Sequence, residues 1–246
     1  MIPIPLVCKL VAATLAAAPP GGTPAPLDLP APAAEAVQVG DTGTIVGKVV
    51  FEGITPPKRR IVPLADQEIC GGMREVDRIV LAPDRGIQGA VVYLKHVENG
   101  RPWPKAAGLP KIEKTHCGFR PHVQVVPAGD IDFVNSDPIS HRVYLVRDGV
   151  IVSDVDLMKH RRIARPLHEP GLYRLECDTH EWERGWVHVV ENPYYDQTGG
   201  DGSFRIAEVP PGQYSLVVWH EYTGEESIPV TVTVNQVASI HVTLKR

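Results

Sequence analysis

Gly171-Leu-Tyr-Arg-Leu-Glu-Cys-Asp-Thr-His180, followed after a short gap by Gly185-Trp-Val-His-Val-Val190, decides how this 246-residue chain is read. In the first segment Tyr173, Leu175 and Cys177 recur at every second position. In the second, Val187 and Val189 do the same. That period places alternate side chains on one face of a strand. A cysteine and a histidine three apart then sit on the tight loop between the strands. A histidine far upstream, His141, reaches them only from a neighbouring strand.

The pattern repeats outward from this point. Strand-like runs fall at 44–51, 90–94, 123–126, 130–135, 142–146, 202–206, 213–219, 228–234 and 239–244, separated by turn residues. With 24 prolines and 22 glycines, and short valine-rich apolar runs, the chain reads as all-β. No capped helix with a 3.6-residue period stands out; the segment 157–163 is the best candidate for a single turn of one. A formal net charge of −4, with no basic run and no base-reading motif, excludes a nucleic-acid binder. No nucleophile–base–orienter set is present, so the chain does not read as an enzyme. His220-Glu221, without such partners, is structural.

The first 40 residues differ from the rest. Leu10-Val-Ala-Ala-Thr-Leu-Ala-Ala-Ala18 after Lys9 reads as the apolar part of an export signal or as a retained anchor over 1–18. Residues 19–40, rich in Pro and Ala, read as an extended linker. The N-terminal segment is compatible with the periplasm or another extracytoplasmic space and with membrane association through it; the expectation of export rests mainly on the domains that follow.

One thiolate and two imidazoles, from His141, Cys177 and His180, form the donor set of blue-copper electron-transfer sites. Pro121-His-Val-Gln-Val-Val-Pro-Ala-Gly-Asp-Ile-Asp-Phe-Val-Asn135, Ser136-Asp-Pro-Ile-Ser-His141, Cys177-Asp-Thr-His180 and Gly185-Trp-Val-His-Val189 come in the order seen in cupredoxins. Residues 112–192 resemble that family, of the amicyanin and plastocyanin type. The resemblance implies a Greek-key sandwich and a copper ion on His141, Cys177 and His180. The family's axial methionine would fall at position 183, where this chain has Glu183, and the asparagine after the first histidine is Arg142.

A second resemblance flanks the first. Gly43-Thr-Ile-Val-Gly-Lys-Val-Val50, Gly89-Ala-Val-Val-Tyr-Leu94, Asp201-Gly-Ser-Phe-Arg-Ile206 and Val209-Pro-Pro-Gly-Gln-Tyr214 resemble the carboxypeptidase regulatory-like, or transthyretin-like, β-sandwich. It implies a discontinuous, Ig-like host sandwich, 41–111 plus 193–246, into which the cupredoxin-like domain is inserted. Two domains in tandem is the alternative.

Two functional readings stay open. In the first, Glu183 supplies an axial oxygen to copper or stands back from a three-coordinate site, and the protein serves one-electron transfer with a redox protein or a membrane-bound electron-transfer complex. In the second, Arg142 and Glu183 form an ion pair that replaces copper, and the protein is a structural subunit of a larger complex. Of the remaining cysteines, Cys8 lies in the leader. Cys70 and Cys117 are left to form a disulfide in an oxidising compartment. A metal site from His116, Cys117 and His122 matches no strong spacing, and nothing recommends Met158 as a ligand. His188 reads as an ordinary strand or surface histidine.

Overall fold

The computed structural model describes residues 41–246. The apolar segment 1–18, the linker 19–40 and Cys8 lie outside the described residues. The protein is all-β: among the described residues the regular elements are strands apart from one helical turn, Gln67–Cys70. The segment 157–163 is not helical. Leu157 ends one strand and Arg162 begins the next, and His160, at φ 54°, reverses the chain between them. No helix among the described residues is long and apolar enough to cross a membrane.

Apolar side chains gather into two cores. One includes Ile45, Val49, Phe51, Val92, Leu94, Leu216 and Val218, drawn from 45–94 and 194–244. The other includes Ile112, Phe133, Val143, Leu145, Leu175 and Val187, drawn from 112–189. Over the first core lie a three-stranded sheet in the order Ser203–Val209, Gly43–Glu52, Val237–Lys245 and a four-stranded sheet in the order Tyr195–Gln197, Val91–Lys95, Gly212–His220, Gly224–Val232. Phe204, Ile206, Leu216 and Val218 are buried, as alternation from the turn at Asp201-Gly202 requires. Gly202 has φ +81°, and a Cβ there would stand 2.6 Å from the Val49 carbonyl oxygen, so the turn needs glycine.

Over the second core a five-stranded sheet runs Val150–Leu157, His141–Arg147, Gly171–Cys177, Arg184–Val190, Val123–Pro127. It is faced by a four-stranded sheet of Arg162–Leu167, Gly129–Asn135, Lys111–Thr115 and Gly118–Arg120. Lys111–Thr115 escapes sequence reading because its inward positions are Ile112 and Lys114. A lysine at a core position breaks the apolar alternation.

The two sandwiches meet through aromatic rings. Trp186 and His188, from the strand beside the ligand loop, pack edge-on against Trp219, with ring centroids 5.2 and 4.5 Å apart. His188 also touches Tyr93. It is thus a strand histidine, as one of the two expectations had it, but a buried interface residue, 3% exposed, and not a surface one. Burial alone pushes its pKa down to about 4. The folded protein therefore holds it neutral while the unfolded chain takes up a proton below about pH 6.5. Stability is complete above that value and is lost as pH falls from about 6.5 to about 4. The loss expected from this group is about 3 kcal/mol. Urea unfolding at pH 7 and pH 4.5 should show that loss in the wild type and a smaller one in His188→Phe; equal losses would exclude His188 as the cause.

Candidate metal centre

Two neighbouring strands carry the first two candidate ligands. Gly171–Cys177 ends on Cys177, and its antiparallel neighbour His141–Arg147 begins on His141. Cys177 is registered opposite Val143, so period two turns the side chains of Cys177 and His141 to the same buried face. The chain then folds back. The Asp178 N–H donates to the Arg142 carbonyl at 2.9 Å, and the Glu183 N–H to the His180 carbonyl at 2.9 Å. Together these bonds carry His180 and Glu183 over the thiol before Arg184–Val190 starts.

The result is a tight four-residue cluster. Cys177 Sγ lies 3.6 Å from Nδ1 of His141 and 3.6 Å from Nδ1 of His180. Glu183 places Oε1 3.3 Å from His180 Nδ1 and Oε2 3.7 Å from His141 Nδ1. None of the four is more than 4% exposed. Each imidazole offers its other nitrogen to a carboxylate: His141 Nε2 to Asp137 at 3.0 Å, His180 Nε2 to Asp66 at 3.0 Å. Such bonds put the proton on Nε2 and turn an unprotonated Nδ1 toward the thiol.

The donors fit a metal ion. Bonds of about 2.0 Å to nitrogen and about 2.3 Å to sulfur subtend about 114° when the atoms are 3.6 Å apart, a value between tetrahedral and trigonal. Glu183 Oε1 is buried with no hydrogen-bond partner among the described residues, an orphaned acceptor facing the histidines. Burial first and the Glu183 carboxylate second push the Cys177 thiol up to about 11, with the Lys114 ammonium opposing them. Burial, then the Lys114 ammonium, holds His141 below the ordinary imidazole range. Thiol and imidazole are thus both neutral at pH 7, and a bound cation would displace the thiol proton.

One cation is already there. Lys114 is fully buried, pairs with Glu183 Oε2, and lies 4.4 Å from the centre of the Phe119 ring. The expected Arg142–Glu183 pair does not form. Arg142 is on the outward side of its strand, with Asp156 of Val150–Leu157 registered opposite it and Asp154 on the diagonal, and it pairs with both at the surface. Lys114 takes the position instead, because Lys111–Thr115 passes beneath the ligand loop.

The other candidates separate. Met158 is exposed, its sulfur near Ser140 Oγ. Cys117 is bonded to Cys70, with S–S 2.02 Å, which removes it from any site with His116 and His122. His122 pairs with Glu221 at 2.9 Å, and Glu221 also accepts the Trp186 indole N–H at 2.7 Å. The disulfide lies against the cluster, with Cys70 Sγ 3.9 Å from His180 Nε2. Asp66, Lys114 and Asp137 are the residues that sequence reading misses. Asp137 stands four positions before His141, but only the fold turns it onto the ring.

No protein-family model and no curated relative matches the chain. Among solved structures it is similar to a purple cupredoxin from Nitrosopumilus maritimus, at 19% identity over 32% of this chain and 98% of that one, TM-score 0.30. It is also similar to an amicyanin variant in the Cu(I) form, at 19% identity over 35% of this chain and 85% of that one, TM-score 0.30. A copper-containing nitrite reductase from Thermus scotoductus matches at 17% identity over 40% of this chain, TM-score 0.30. The matched part spans a quarter of that enzyme.

Proposed function

We propose that His141, Cys177 and His180 hold a copper ion with Glu183 as an oxygen ligand, and that the protein passes single electrons to a redox partner in a membrane-associated system outside the cytoplasm. In this reading 112–192 is a cupredoxin-like domain within a transthyretin-like host, and 1–18 directs or anchors the chain. The observation that carries it is the placement of both Nδ1 atoms at the same 3.6 Å from one thiol while both Nε2 atoms are held by carboxylates. Copper, when bound, supplies a one-electron couple. The chain supplies the rest: Asp137 and Asp66 orient the rings, burial excludes water, and the anionic Glu183 favours Cu(II) over Cu(I), lowering the potential relative to a thioether ligand.

A second reading is supported by Lys114. Its ammonium already neutralises Glu183, so the cluster is electrostatically complete without a metal. The protein is then a copper-free structural subunit whose ligand loop is stiffened by a buried ion pair and a disulfide.

Adding Cu(II) to the purified protein separates the two. The copper reading expects one ion per chain and an intense thiolate-to-copper absorption in the visible range. Cys177→Ala should abolish that band. A colourless mixture with no copper retained on desalting would leave only the structural reading.

A further inference from the structure

Beside the metal cluster, a solvent-open cleft of about 1140 Å3 lies between the hairpin Arg59–Ile61/Arg74–Val76 and the two sandwiches. Its lining is basic: Arg59, Arg74, Arg78, Arg120, Arg184 and Arg246 all contribute to it. The chain as a whole is acidic, so the concentration is local.

Elsewhere most arginines are paired, while Arg85, Arg161, Arg165 and Arg205 stand singly, each without a carboxylate among the described residues. Arg60, Arg101, Arg142, Arg147, Arg162 and Arg174 each meet a carboxylate. Among the described residues none of the six cleft arginines does. Of the acids in the cleft wall, Asp77 is paired with Lys58 and Glu183 with Lys114, and Glu221 is held by hydrogen bonds with the His122 ring and the Trp186 indole N–H. Arg59 and Arg74 donate to the neutral carbonyls of Trp182 and Cys70, which fixes their position but leaves their charge uncompensated. Arg59 also has its pKa lowered, first by burial and then by the neighbouring Arg184, opposed by Glu221. Trp182, whose indole N–H is buried with no acceptor among the described residues, lines the same cleft.

Converging guanidinium groups raise one another's energy, and an anion in their midst lowers it. Their planar forks match the paired oxygens of phosphate and carboxylate groups. A concave site between two sandwiches is also where small ligands commonly bind. We infer that this cleft binds a small polyanion bearing two or more phosphate or carboxylate groups. The site uses none of His141, Cys177 or His180 as a contact; of the proposed copper ligands only Glu183, paired with Lys114, lies in its wall.

Isothermal titration of the full chain, without added metal and at low ionic strength, tests this with inorganic pyrophosphate and with citrate. The expected result is saturable binding of at least one of them, weakened as salt is raised. The better ligand separates phosphate from carboxylate recognition. Arg78→Gln combined with Arg184→Gln should reduce affinity roughly tenfold or more, as expected for loss of two charge-assisted contacts. Both side chains are exposed and hold no partner among the described residues, so unfolding curves should match the wild type. Arg165→Gln, half-buried and outside the cleft, should bind as the wild type does. Saturable binding of neither anion overturns the inference. So does unchanged affinity in the double variant, or binding of polyglutamate alone, which would mark a docking face for an acidic protein. Because the readout involves no metal, each of these failures leaves the copper reading untouched.

Discussion

Replacing Lys114 with methionine is expected to destabilise the copper-free protein by about 3–5 kcal/mol, because it strands the Glu183 carboxylate in the core without a countercharge. The same substitution should tighten Cu(II) binding, since a metal then becomes the only cation available to Glu183. A ligand that binds only the folded state adds RT ln(1 + [L]/Kd) to stability. Cu(II) should therefore restore more stability to Lys114→Met than it adds to the wild type. Guanidinium unfolding with and without Cu(II), for both proteins, measures the two quantities. Equal stabilisation of both would mean that Glu183 is not a ligand. A variant as stable as the wild type would mean that the pair is not the cost-bearing contact argued above. Methionine suits the test because it preserves much of the lysine stem's volume against Phe119.

Removing the disulfide should have an effect of similar size. Cys70 and Cys117 are 47 residues apart, and opening a loop of that length restores unfolded-state entropy of about 4 kcal/mol on the chain-entropy argument. Cys70→Ser combined with Cys117→Ser is expected to lower unfolding stability by about that amount. It should also have a local signature. The helical turn Gln67–Cys70 follows Asp66, the carboxylate bonded to His180 Nε2, and the disulfide ties that turn to the strand hairpin carrying Lys114. Without it the 59–76 segment loses its anchor, and His180 loses its orienting partner. Amide hydrogen exchange should rise in 66–70 and around His180 more than in the core strands Val91–Lys95 and Gly212–His220. Uniform acceleration across the whole chain would show a purely global role.

The all-β class is legible in the chain because half-buried strands write their period into the sequence. Phe204 and Ile206 alternate with Ser203 and Arg205 and are buried as that alternation requires. The candidate ligands are legible for a related reason. Cys177, His180 and Glu183 lie on one short turn, and His141 opens the adjacent strand, so local spacing nearly determines their proximity. The Cys70–Cys117 bond follows from counting cysteines once Cys8 and Cys177 are set aside.

What reading fails to find is charge with a distant partner. Lys114 looks like a surface residue within Lys-Ile-Glu-Lys-Thr, yet it is fully buried because Glu183, far along the chain, meets it. Arg142 looks like the natural partner for Glu183 because both depart from one family's pattern, but strand polarity sends it to the opposite face and to Asp154. Asp66 and Asp137 become histidine partners, and His188 an interface residue, only when separate segments pack. The sequence alone determined the strand periodicity, the four residues that converge and the cysteines that pair. Tertiary structure decided which cation stands beside Glu183, which carboxylates hold the rings and where uncompensated arginines collect. The physical reason is that alternation and loop length are local quantities, whereas the cost of burying a charge is set by whatever the fold brings within a few ångströms of it.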